Sequence, residues 1–236
     1  MLFYKHDIFI DISSYTIYNK IDSKKDFTNQ LLFMKHDKRG EKVKLNNLAN
    51  IRSGLVLSRK QSKKPVGYRY PLINFRCIRH EGKIELSEAD IFEAKELLKE
   101  EYLSQKGDII VRLTAPYTAV LIDATTSGMV ISSNFVVIRI EDDRLLPEYL
   151  FWLLNTQKIK RKIYENATSN MLGAVKVKLL LDFELVVLPI EQQYKIAQLN
   201  LMAKKERQLL KELAYEKEKF YSRLLDQAYE RAKKGV

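Results

Sequence analysis

The sequence predicts an α/β (α+β) fold, a mixed-sheet domain followed by one long C-terminal helix, and three observations carry that reading. Between residues 42 and 140, short runs rich in Val and Ile alternate with Gly and Pro at Gly54, Pro65, Gly67, Pro71, Pro116 and Gly128, the pattern of strands and turns. After Pro189 neither Gly nor Pro recurs until Gly235, and Ala, Leu, Glu, Lys, Gln and Arg predominate. The 236 residues are 46% hydrophobic, enough to pack a core in one large or two small domains.

Taken in order, residues 1–42 read as an appended segment, with an apolar stretch at 8–12, a polar middle and a charged joint containing Gly40. Strands and exposed loops are expected over 42–74. Ser87 followed by Asp90 resembles a capping box, so a helix is predicted with Ile91, Ala94, Leu97, Leu98 and Tyr102 on one face, ending near Gly107. Val- and Ile-rich strands follow at 108–113, 119–123, 129–132 and 134–140. Pro147 suits the first position of a helix that points Leu150, Leu153 and Leu154 inward and ends in the basic run Lys158, Lys160, Arg161, Lys162. A polar loop at 166–173 leads to a last strand, 179–188. The final element is a helix of about forty residues, longer than an ordinary globular helix and therefore of coiled-coil type.

The charge distribution narrows the function. Lys and Arg number 41 against 30 Asp and Glu, a net charge of +11, which makes a polyanion the leading partner. Between Glu41 and Glu81 no acid occurs, while Lys42, Lys44, Arg52, Arg59, Lys60, Lys63, Lys64, Arg69, Arg76 and Arg79 supply ten positive charges. With Tyr68, Tyr70 and Asn74 among them, these suit a face that neutralises phosphates while a few side chains reach base edges; the alternative is a solvated basic face. A second acid-free stretch joins Thr168, Ser169 and Asn170 to Lys176, and an ordinary polar loop explains it equally well.

Catalytic signatures are missing. No phosphate-cradling Gly loop, Gly-x-Ser-x-Gly, His-Glu-x-x-His or dinucleotide fingerprint occurs. Cys77 and His80 form a Cys-x-x-His pair without a second half, so neither a metal site nor a catalytic residue is expected. Asp108 stands where a nuclease strand would begin, but no Glu-x-Lys follows, and a polar strand-entry role fits better. The single cysteine fits a reducing cytoplasm, and neither a secretion signal nor a membrane span is expected.

The order of segments resembles one half of a type I restriction-modification DNA specificity (S) subunit: one target recognition domain followed by its long conserved helix. The matching residues are Lys44, Leu45, Leu48, Ala49, Ile51, Ser53 and Gly54; Tyr70 to Ile73; Tyr102, Leu103 and Lys106 to Val111; Ser133, Asn134, Val136 and Val137; Pro147 to Leu150 with Leu154 and Asn155; and Leu188 to Gln192 with Ile196 and Ala197. Where the family usually has glycines after the Gly-Asp strand, this chain has Thr114 to Ala119. Complete subunits carry two domains and two helices, so the chain reads as a natural half subunit or a fragment.

The resemblance implies a target recognition domain over 43–189 and a helix for dimerisation and partner docking over 190–236. It implies a non-catalytic reader of double-stranded DNA that positions methyltransferase (M) subunits, in which S-adenosylmethionine is the cofactor, and in some assemblies a restriction (R) subunit. The expected DNA-binding residues are Arg59, Lys60, Lys63, Lys64, Arg69, Tyr70, Thr114, Tyr117, Thr168, Ser169, Asn170 and Lys176. Two other readings stay open: a small nuclease or nucleotide-modifying enzyme with dispersed active-site residues, and a scaffold whose basic face meets an acidic partner.

A heptad reading of the helix places Ala203, Leu210, Lys217 and Leu224 at one core position and Leu199, Glu206, Leu213 and Phe220 at the other. A parallel homodimer would set Glu206 against Glu206 and Lys217 against Lys217. An antiparallel pair centred between Lys211 and Glu212 sets Leu199 against Leu224, Ala203 against Phe220, Glu206 against Lys217 and Leu210 against Leu213. An antiparallel homodimer is therefore expected; the alternative is a helix packed only on its own domain.

Overall fold

The computed structural model describes residues 40–63, 67–79, 81–168 and 177–235. Lys64, Ser169, Asn170, Lys176, His80 and the expected N-terminal extension up to residue 39 lie outside them. Among the described residues, nine strands make three sheets. The central sheet is wholly antiparallel, in the order β2 (Ala49–Ser53), β8 (Phe135–Ile140), β5 (Ile109–Arg112), β6 (Ala119–Leu121). A second sheet has the order β4 (Asp90–Ala94), β3 (Tyr68–Ile73), β7 (Val130–Ile131), with β3 antiparallel to β4 and parallel to β7. The third pairs β1 (Glu41–Lys44) with β9 (Glu184–Val187).

The central sheet separates two apolar cores, which explains why β5 and β8 read as unbroken apolar runs. Ile109, Val111, Val136 and Ile138 face a core shared with α1 (Pro147–Leu154), where Tyr149, Leu150 and Leu154 are buried. Ile110, Phe135 and Val137 face the other way, onto Ile73, Cys77 and Ile131. The register Ile109↔Ile138 and Val111↔Val136 keeps each set on its own side. Gly54 is required by close approach, because a Cβ there would lie 2.1 Å from the Ser132 carbonyl oxygen.

Three expectations are corrected. The helix expected after Ser87 is strand β4, flanked by 3₁₀ turns at Leu86–Glu88 and Glu100–Tyr102. Phe92 and Ala94 are buried while Ile91 and Leu97 are exposed, a period of two imposed by pairing with β3. The helix expected from Pro147 into the basic run is two, α1 and α2 (Gln157–Thr168). Between them, the Asn155 amide accepts from the Ala119 N–H at 3.2 Å and donates to the Ala119 carbonyl at 3.0 Å, acting as one more partner for edge strand β6. Thr156 then starts α2, its hydroxyl accepting from the Ile159 N–H at 3.4 Å. The expected last strand is a short helix, α3 (Val177–Leu181), and then β9, which together bury Leu180, Leu185 and Val187.

The final helix, α4 (Ile190–Lys233), runs for 44 residues. Its first turns are locked to the domain by Gln193, fully buried, whose amide donates to the carbonyls of Arg144 and Leu188, both at 2.7 Å, and accepts from the Leu146 N–H at 2.9 Å. Ala197 is buried on the same side. Gln193→Ala strands these three groups, and we expect a loss of about 2–4 kcal/mol, read as a lower urea midpoint at an unchanged slope. No helix among the described residues is long and apolar enough to cross a membrane.

Candidate nucleic-acid interface

The basic block of the sequence divides in space. Strand β4 runs antiparallel beside β3 and brings acids to cations that have none nearby in the chain. Lys60 meets Glu96, Arg69 meets Glu93 at 3.6 Å, Arg76 meets Asp90, and Arg79 meets Glu88 at 3.9 Å. The acid-free stretch is thus partly neutralised, although exposed pairs of this kind stay open to exchange with a phosphate. Lys60 is held charged above its ordinary value by its hydrogen bond to Glu96. Arg59 and Lys63 are exposed and make no ion pair among the described residues.

The other expected contacts fall on a separate group of elements. Thr114 is half-buried, and its hydroxyl accepts from the Arg112 Nε–H at 3.0 Å, while the Arg112 guanidinium lies 4.1 Å from the centre of the Phe75 ring. Tyr117, at a φ of 53°, is buried against Ile163 of α2. Tyr70 accepts from the Leu98 N–H at 3.1 Å and packs beside Phe92. The rings of Tyr70 and Tyr117 therefore serve packing, whereas Arg59, Lys60, Lys63 and Arg69 stand along the loop and strands at the start of β3. Thr168 ends α2, and nothing is described of its side chain.

Two polar clusters are structural. Asp108, 1% exposed, takes a two-pronged pair from Arg139, with Nε to Oδ1 at 2.8 Å and Nη2 to Oδ2 at 2.7 Å, and also accepts from the Gln105 N–H at 2.9 Å. Beside this pair, burial and then the charge of Arg139 lower the Arg52 pKa, and Arg52 Nη2 is buried without a hydrogen-bond partner among the described residues. Cys77 is fully buried, its thiol donating to the Asn74 carbonyl at 3.0 Å and pushed up in pKa by burial. No group of three His, Cys, Asp or Glu side chains suited to a metal ion exists among the described residues.

A second basic surface, read from the sequence only as the end of a helix, lies on α2 and on the part of α4 near it, where the charge of Lys160 reaches Lys204. Ile159 and Ile163 anchor α2, leaving Lys158, Arg161 and Lys162 exposed. From α4, Lys204 lays its ammonium 3.7 Å from the centre of the Phe151 ring and donates to the Glu81 carbonyl at 2.6 Å. Burial, then the charges of Arg207 and Lys160, push its pKa down to about 8. Lys211, two helical turns further, pairs with the Glu81 carboxylate. From Leu209 onward, Leu209, Leu210, Leu213, Phe220, Tyr221, Leu224, Leu225 and Tyr229 are all exposed.

No protein-family model matches the sequence, and no curated protein matches it. Solved structures do. The HsdS subunit from Thermoanaerobacter tengcongensis is similar at a TM-score of 0.53 and 18% identity, over 72% of this chain and 43% of that one. A chain from a structure of the type I R-M system, described for its complex assembly and conformational transition, has a TM-score of 0.56 and 16% identity, over 90% and 53%. The type I restriction-modification S subunit from M. genitalium has a TM-score of 0.50 and 13% identity, over 86% and 49%. The chain spans about half the length of the structures it matches. With its mixed sheets, Pro147 helix and long final helix, the chain has the fold of a type I restriction-modification S subunit.

Proposed function

We propose that this chain is a sequence-specific double-stranded DNA-binding specificity subunit of a type I restriction-modification complex. It acts in the cytoplasm, has no catalysis of its own, and directs partner M subunits, with S-adenosylmethionine as their cofactor, and in some assemblies an R subunit. The observation that carries the reading is the S-subunit fold in a chain with a net charge of +11. The arrangement of α4 supports a homodimer. Gln193, Ala197, Lys204 and Lys211 turn toward the domain, whereas Leu210, Leu213, Phe220 and Leu224 are exposed on another face. The midpoint of Ile190–Lys233 also falls between Lys211 and Glu212, the centre that the complementary antiparallel layers require. Paired that way, two chains present two domains to an inverted bipartite target.

The test is duplex binding as a function of salt, first with random duplexes and then by selection for a preferred sequence. Lys63→Ala with Lys64→Ala should weaken binding to all duplexes alike and flatten the slope of log K against log salt by roughly one unit per lost phosphate contact. Unchanged slope and affinity would leave these lysines as solvated surface. Cleavage or methylation of DNA by the purified chain alone would overturn the non-catalytic assignment, and favour the enzyme reading.

A further inference from the structure

We propose that the exposed side of α2, together with the nearby Lys204 and Arg207 of α4, is a second phosphate-binding face of this protein, built by Lys158, Lys160, Arg161, Lys162, Lys204 and Arg207 to follow the backbone of duplex DNA. The inference rests on the reading of the chain as a DNA reader and adds to it a contact region that lies apart from the β3–β4 cations. The two basic regions of this one chain differ in how their cations are paired. On β3 and the segments flanking it, Lys60, Arg69, Arg76 and Arg79 each have a carboxylate within reach. On α2 four cations fall within five residues, and neither Lys158 nor Arg161 makes an ion pair among the described residues. Like charges three and four residues apart on a helix repel each other, so an isolated chain gains nothing from this arrangement.

The second element worsens the repulsion. The charges of Lys160 and Arg207 both bear on Lys204, which is half-buried over the Phe151 ring. The acids near these six cations among the described residues include Glu165 on α2, Asp182 and Glu184 on either side of the Phe183 ring over which Lys162 lies, and Glu81, whose carboxylate is engaged by Lys211. An external polyanion relieves that imbalance. The layout also selects among polyanions. Lys158 to Lys162 rise about 6 Å along one helix and Lys204 to Arg207 about 4.5 Å along another, so the charges form a track and not a pocket for one small anion. Tyr164, 55% exposed, stands among them. The helix is set by apolar contacts, Ile159 and Ile163 on Tyr117 and Leu113, and its cations are thereby held on elements of the fold and not on a loose tail.

The experiment uses the full chain and a random-sequence duplex. Lys158→Ala with Arg161→Ala removes two exposed cations that support no described ion pair; Lys233→Ala with Lys234→Ala, at the far end of α4, is the charge-matched control. We expect the first pair to reduce the salt slope by about 1.8 and to weaken binding roughly 60-fold at 0.1 M salt, taking equal affinities near 1 M. The control should change neither by a comparable amount. As a measurement that needs no variant, DNA should protect Lys158 and Lys162 from acetylation in the wild-type chain. A slope equal to the control's, with no protection, overturns the second face while the DNA-reader assignment stands. Loss of methyltransferase binding with DNA affinity intact overturns it in favour of an acidic protein partner. Failure of the wild-type chain to bind duplex at all overturns both.

Discussion

Replacing Asp108 by Ala is expected to cost the fold about 2–4 kcal/mol, measured as a fall in the urea midpoint, because it removes a buried carboxylate and leaves the partly buried Arg139 guanidinium without its counter-charge. Asp108 is 1% exposed, and its two oxygens meet Arg139 and the Gln105 N–H. The Arg139 pKa is raised, chiefly by the hydrogen bonds to Asp108. With the carboxylate gone, Arg139 would face Arg52, whose own charge is already disfavoured by burial and by Arg139. Arg139→Met in the Asp108→Ala background should therefore recover part of the loss, since removing both partners leaves no unpaired charge. The same pair decides between two roles for the Gly-Asp strand. A metal-binding carboxylate would be reachable and its loss would spare stability, whereas here the expected effect is on folding. A stable Asp108→Ala chain would return Asp108 to the list of functional candidates.

How much of this was legible depended on whether the information was local. Strands β5 and β8 were readable because Ile109, Ile110, Val111, Val136 and Val137 are β-branched on consecutive positions, which suits a strand buried on both faces. The 44-residue helix was readable from the lack of Gly and Pro. Strand β4 was not, since Ile91, Ala94, Leu98 and Tyr102 fit a helical spacing and only the distant β3 imposes a period of two. The same pairing accounts for the misread charge block, as acids numbered 88 to 96 lie beside cations numbered 60 to 79. Gln193 was overlooked because a glutamine on a helix is unremarkable until its three backbone partners, from two other segments, are placed around it. At the candidate interface, Tyr70 and Tyr117 were chosen as aromatics among basic or turn residues, and packing claims both rings. Lys158, Arg161 and Lys162 were passed over as the end of an inward-facing helix.

The charge pattern along α4 sets up the second large effect: Glu206→Lys should weaken the homodimer roughly 100-fold, and adding Lys217→Glu should restore it. In the antiparallel register each Glu206 faces Lys217 of the other copy, so one substitution reverses two layers by symmetry, each worth up to about tenfold. Both residues are exposed in the single chain, as are Leu210, Leu213, Phe220 and Leu224 around them. In the proposed dimer these apolar side chains would supply most of the association energy and the charges would choose its direction, because a parallel pair would set like against like. Sedimentation equilibrium on the wild type, Glu206→Lys and the double variant reads the result directly; a wild-type monomer at micromolar concentration, or a Glu206→Lys chain that dimerises as before, would refute the pairing. The consequence for DNA follows from the length of the helix. With the centre between Lys211 and Glu212, the two Ile190 ends stand roughly 65 Å apart at 1.5 Å per residue, nearly two turns of about 34 Å. Two identical domains related by a two-fold axis read the same bases in opposite directions, so selection from random duplexes should return an inverted repeat with an unread centre. Glu206→Lys should then lose the repeat and retain only half-site binding, and the double variant should recover the full target at the original spacing.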